Sequence, residues 1–124
     1  MTAGVQAQPA HPPNPPQAPR AEDRLPPMET PWGRSDFTEH LGCGIIAVST
    51  PSHGGMYVPK HLHCLIPDRA RAWAAKWSGS ESWYEEDCAW AIVVHWIPEP
   101  FAKELRESAA AMLKSMIERG RFDA

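Results

Sequence analysis

At 124 residues the chain has room for one domain. Twelve basic side chains against 15 acidic ones give a formal charge of −3 without any lysine-arginine run, so no direct nucleic-acid binding is expected. Three cysteines without a CxxC pair argue against a disulfide framework and fit a reducing cytoplasm, and no apolar run reaches the ~18 residues of a membrane span or resembles a signal peptide.

Nine of the 14 prolines fall between Pro9 and Pro31, and residues 1–28 carry almost no large apolar side chains beyond Val5 and Leu25. Such a stretch buries too little apolar surface to offset its ordering entropy. A disordered proline-rich arm is therefore expected over residues 1–28, and a single compact domain over 29–124. Order begins near Thr30-Pro31-Trp32-Gly33, a turn with one aromatic anchor. Residues 37–41 are short and mixed. Gly42-Cys43-Gly44 then turns the chain into Ile45-Ile46-Ala47-Val48-Ser49-Thr50, a β-branched strand that reads as the second arm of a hairpin. Pro51-Ser52-His53-Gly54-Gly55 is expected to be a loop, with Met56-Tyr57-Val58 returning as a strand.

Pro59 opens a helical turn through His61, His63 and Cys64. Pro67 and Asp68 start a helix in which Ala70, Trp73, Ala74 and Trp77 recur at helical spacing, and Gly79 ends it. Residues 91–97 have strand composition. Upstream, however, Ser82 and Glu85 fit a capping box, with Glu86 and Asp87 completing an acidic first turn. From there Tyr84, Cys88, Ala91, Ile92 and His95 line one face and Trp90, Val93, Val94 and Ile97 another, which predicts a buried helix from Ser82 to Ile97. Pro98 and Pro100 break it. Phe101, Leu105, Ala109, Met112 and Met116 form the stripe of a last helix that stops at Arg119-Gly120. The expected fold class is α+β: an antiparallel sheet of two to three strands covered by about three helices. All six tryptophans lie in the domain, where core packing accounts for most and one or two exposed rings would anchor a partner.

Four fragments resemble, in order and spacing, an uncharacterised domain family of phage, plasmid and mobile-element proteins. They are Thr30-Pro31-Trp32-Gly33, Ser49-Thr50-Pro51-Ser52-His53-Gly54-Gly55, Trp83-Tyr84-Glu85-Glu86-Asp87-Cys88, and Pro98 to Phe101. The resemblance covers about residues 30–101 and departs from the family around His61 to Cys64. It implies no activity; it implies an accessory or counter-defence setting.

Four constellations are candidates for chemistry. The paired glycines beside Ser52 and His53 let a backbone approach a ligand or form an anion-holding nest, with His53 as an acid, base or hydrogen-bond donor; the alternative is a turn satisfied by its own geometry. Glu85, Glu86 and Asp87 point in different directions, so at most one or two reach His53; the alternative is a solvated acidic turn. His61, His63 and Cys64 are zinc-ligand types, short of a tetrahedral set unless Cys43, Cys88 or His53 contributes. Cys88 with His53 has the types of a nucleophile and base, but the neighbouring acids oppose a thiolate.

The preferred expectation is a cytoplasmic binding protein that inhibits or redirects a host protein or complex through an acidic surface, with no cofactor. Its binding residues would be Ser52, His53, Gly54, Gly55, Trp83, Tyr84 and Glu85. The alternatives are a small hydrolase or metal-dependent enzyme using His53 with Glu86 or Asp87, and an interaction module that tethers partners through the arm. All site assignments need the glycine turn and the carboxylate segment to fold against each other.

Overall fold

A computed structural model describes residues 23–122. The arm expectation therefore lies, over residues 1–22, outside the described residues. From its first residues the described chain already lies along the sheet: Arg24 bridges Glu39, and the Leu25 amide donates to the Thr38 carbonyl at 2.9 Å.

The fold is α+β. A short hairpin, β1 (Glu29–Thr30) and β2 (Gly33–Arg34), precedes a four-stranded antiparallel sheet in the order β3-β4-β5-β6, larger than the expected two to three strands. Its strands are β3 (Phe37–Gly42), β4 (Ile45–Ser49), β5 (Gly54–Tyr57) and β6 (Trp83–Glu85). Cys43 and Gly44, at φ 58° and 87°, make the two-residue turn between β3 and β4. This is the hairpin that the glycine punctuation predicts. Between β5 and β6 the chain forms a 3-10 helix (Lys60–Leu65) and then α1 (Asp68–Ser78), which Gly79 closes in the left-handed conformation. Helices α2 (Trp90–Trp96) and α3 (Lys103–Glu118) complete the chain.

Two expectations are corrected. Gly54 and Gly55 belong to β5 rather than to the loop, because both flanks are occupied: Ser49 and Val48 pair with them on one side, Glu85 pairs with Gly55 on the other, and the Glu86 amide donates to Gly54. The helix expected from Ser82 begins only at Trp90. Residues 83–85 are strand, with Tyr84 turned into the core. The Ser82 hydroxyl lies 3.1 Å from His63 Nε2 instead of capping a helix.

Alternation along the strands gives the sheet two covered faces. Ile45, Met56 and Tyr84 share the face under the helices, where the core gathers Val58, Ile66, Trp73, residues 91–94, Ile97, Leu113, Met116 and Phe122. On the other face lie Thr38, Val48, Gly55, Tyr57 and Trp83. The entering chain covers part of it: the buried Ser35 and Thr38 hydroxyls lie 2.6 Å apart, and the Trp32 ring stands edge-on to Trp83, centroids 5.8 Å apart. The α1 stripe divides, with Trp73 buried and Trp77 57% exposed. On α3 the buried positions are Ala109, Leu113 and Met116, while Leu105 is exposed.

Candidate functional site at the β6 edge

Five segments meet where β6 ends. Trp32 comes from the tip of the β1–β2 hairpin, held by Thr30, whose hydroxyl donates to the Gly33 carbonyl at 2.7 Å and accepts the Trp32 amide at 3.0 Å. His53 comes from the β4–β5 loop, which Thr50 organises in the same way: its hydroxyl donates to the His53 carbonyl and accepts the amides of Ser52 and His53. Ser52 ties this loop to the hairpin by donating to the Trp32 carbonyl at 3.4 Å. Trp73 and Trp77 come from α1, Glu85 from the end of β6, Asp87 and Cys88 from the turn after it, and Arg121 from the chain beyond α3. Together these residues line a cleft of about 260 Å³.

The glycine turn and the carboxylate segment therefore do fold against each other, through the β5–β6 ladder. Gly55 makes this possible. A Cβ there would come 2.5 Å from the Trp32 ring and equally close to the Tyr84 carbonyl, so only glycine lets the hairpin tip reach the sheet.

Glu85 is occupied inside the protein. Its carboxylate accepts the amides of Asp87 at 2.6 Å, Cys88 at 2.9 Å and Ala89 at 3.0 Å, which satisfies the donors ahead of α2. Glu86 diverges from His53. A Cβ on Gly54 would meet its Oε1 at 2.9 Å, whereas Trp32 covers Gly55, and consecutive strand residues face opposite sides. Asp87 alone of the two proposed carboxylate partners shares the cleft with His53. Among the described residues no hydrogen bond joins the His53 ring to Asp87, Glu86 or Cys88.

Tyr84 and Gly54 are buried and meet no partner from outside, and Trp83 lies half-buried between Trp32 and Tyr57. Among the described residues no group of three or more His, Cys, Asp or Glu side chains converges as metal ligands do. His61 and Cys64 lie on the 3-10 helix, where the Cys64 thiol donates to the His61 carbonyl at 3.8 Å, and His63 Nε2 is engaged by the Val58 carbonyl and Ser82. Cys43, Cys64 and Cys88 are all free thiols. Sequence reasoning placed Trp73 and Trp77 on one apolar helical stripe and assigned no role to Arg121. Its nearest signal was the Arg119-Gly120 stop, since the residues after such a glycine often return to the body.

The fold and cleft define a small α+β domain with a tryptophan-walled surface site. The chain belongs to the family described as a domain of unknown function, DUF7007, whose model matches residues 26–120. No curated protein and no solved structure matches it. Among the described residues no helix is long and apolar enough to cross a membrane.

Proposed function

We propose that this domain is a protein-binding accessory module of a mobile genetic element, which acts in the cytoplasm on a host protein or complex and inhibits a host defence system. The observation that carries the binding reading is the cleft at the β6 edge. Three tryptophans line it, one of them 57% exposed on a rigid helix, and such rings are the commonest anchors of protein interfaces. At about 260 Å³ the cleft falls below the ~300–1,000 Å³ of small-molecule sites and suits one or two side chains of a partner. Asp87 and Glu86 are the exposed carboxylates of this region left to meet basic groups, since Glu81 pairs with Arg71 and Glu85 is spent on backbone amides. The mobile-element and counter-defence setting rests on the four resembling fragments, and the cytoplasmic assignment on the three free thiols.

Affinity purification from host lysate with wild-type and Trp77→Ala baits tests this. The wild type is expected to recover a specific partner that the variant loses at unchanged melting temperature, with an affinity loss of about 2 kcal/mol or more. Recovery of the same partner by both baits, or of none by either, rejects the reading.

One observation favours a second reading. His53, Asp87 and Cys88 line the same cleft, the residue types of a hydrolase. His53→Ala that abolishes a hydrolytic activity without changing stability would move the assignment to that class.

A further inference from the structure

Beside the tryptophan cleft, sharing Trp73 and Arg121 with it, lies a second hollow of about 340 Å³ lined by Arg69, Ala72, Trp73, Lys76, Gly120, Arg121 and Phe122. Three of the chain's 12 basic side chains line it and, among the described residues, no acid does, although the chain as a whole carries an excess of acids.

Two devices fix this arrangement. Arg69 and Lys76 stand two turns apart on α1 and so share its outer face. Arg121 is held by the end of α3: Gly120 turns left-handed at φ 71°, its amide donates to the Ile117 carbonyl, and the Arg121 amide donates to Met116 at 2.9 Å. The next residue, Phe122, is buried between Trp73 and Trp96 at 6.1 and 6.3 Å, which pins the backbone of Arg121 against α1. Among the described residues neither Lys76 nor Arg121 makes an ion pair.

We infer that this hollow is an anion-accepting subsite for a carboxylate side chain of a protein partner, placed next to an apolar side chain seated in the tryptophan cleft. The inference rests on the protein-binding reading above and adds the partner's chemistry: an acidic peptide segment with an adjacent apolar anchor. Charge complementarity supplies the argument, since the exposed cations Lys76 and Arg121 beside the aromatic floor of Trp73 and Phe122 favour an anionic group and repel a basic one. With Asp87 lining the tryptophan cleft and the cations lining the hollow beside it, the surface carries both signs, which orients the partner.

The test uses the full chain and fluorescence anisotropy with a labelled octapeptide carrying one phenylalanine followed by two glutamates. A counterpart with lysines in place of the glutamates and a single-stranded oligothymidine serve as comparisons. The acidic peptide is expected to bind saturably, more weakly as salt rises, and at least about ten-fold more weakly to the Lys76→Glu/Arg121→Glu double variant. Both positions are exposed, so the melting temperature is expected to hold. Equal binding to wild type and double variant overturns the inference, as does absence of saturable binding of the acidic peptide. Preference for the oligothymidine also overturns it and makes the hollow a nucleic-acid contact. Preference for the lysine peptide overturns it while leaving the protein-binding reading intact, provided Trp77→Ala abolishes that binding.

Discussion

Gly55 is the residue on which the site's assembly turns. Its missing side chain admits the Trp32 ring from one direction while the Tyr84 carbonyl closes in from the neighbouring strand. A backbone oxygen at that range has no rotamer with which to retreat, so Gly55→Ala is expected to destabilise the domain by about 1–3 kcal/mol. Denaturant unfolding measures this, and a red shift of tryptophan emission would report Trp32 leaving the sheet. Tyr84 has the opposite character. Its ring is fully buried, yet among the described residues its hydroxyl has no hydrogen-bond partner, and burial pushes its ionisation above the usual phenol range. A buried donor without a partner carries a desolvation penalty that phenylalanine lacks. Tyr84→Phe is therefore expected to raise stability by about 1 kcal/mol. A loss of stability in the same melt would show that the hydroxyl is satisfied in solution.

Elements add what single residues leave open. The helices were legible where period and punctuation agree: α1 between Pro67 and Gly79, α3 up to Gly120, and α2 over its apolar residues despite their strand-like composition. The error at Ser82 has a physical source. Ser82 and Glu85 carry the letters of a capping box, but tertiary contacts redirect both: the serine is taken by His63, and the glutamate caps the turn before α2 from outside it. Only the alternation of half-buried Trp83, buried Tyr84 and half-buried Glu85 betrays the strand, and three residues are too few to read as a period. The join between the 3-10 helix, α1 and the turn before β6 depends on Arg71, whose side chain is 17% exposed. Its guanidinium donates to the His63 and Ile66 carbonyls and pairs with Asp68 and Glu81. A lysine lacks the fork needed to reach all four, so Arg71→Lys is expected to lose about 2–3 kcal/mol in a thermal or denaturant melt. At the opposite edge, Glu39 on β3 has its carboxyl raised above the usual value, first by burial and then by Asp23, against the opposing effect of Arg24. The folded state therefore holds this proton to a higher pH than the unfolded chain does. Stability is full below the unfolded value and falls as pH rises through the window between the two. Glu39→Gln is expected to melt higher than wild type at neutral pH, with the two curves merging below about pH 4.

At the scale of the molecule, the site was only half legible because its two halves have different origins. The meeting of the histidine loop with the carboxylate segment follows from strand pairing between fragments that the sequence marks. The tryptophans of α1 and the cation beyond α3 reach the same place through closure of the chain, and no local spacing encodes that. Phe122 is the closing contact: it is buried against Trp73 and Trp96, borders the apolar groove formed with Leu113 and Ile117, and fixes its neighbour Arg121 between the two hollows. Removing a buried phenylalanine in a core costs about 3–5 kcal/mol. Phe122 is 4% exposed, so Phe122→Ala is expected to lose about 3 kcal/mol in denaturant unfolding. The same change should release Arg121, so that at temperatures where the variant stays folded the acidic probe peptide binds several-fold more weakly while the Trp77 anchor remains. A variant that keeps full peptide affinity despite the lost stability would mean that Arg121 needs no such anchor, and that the cationic rim is organised by α1 alone.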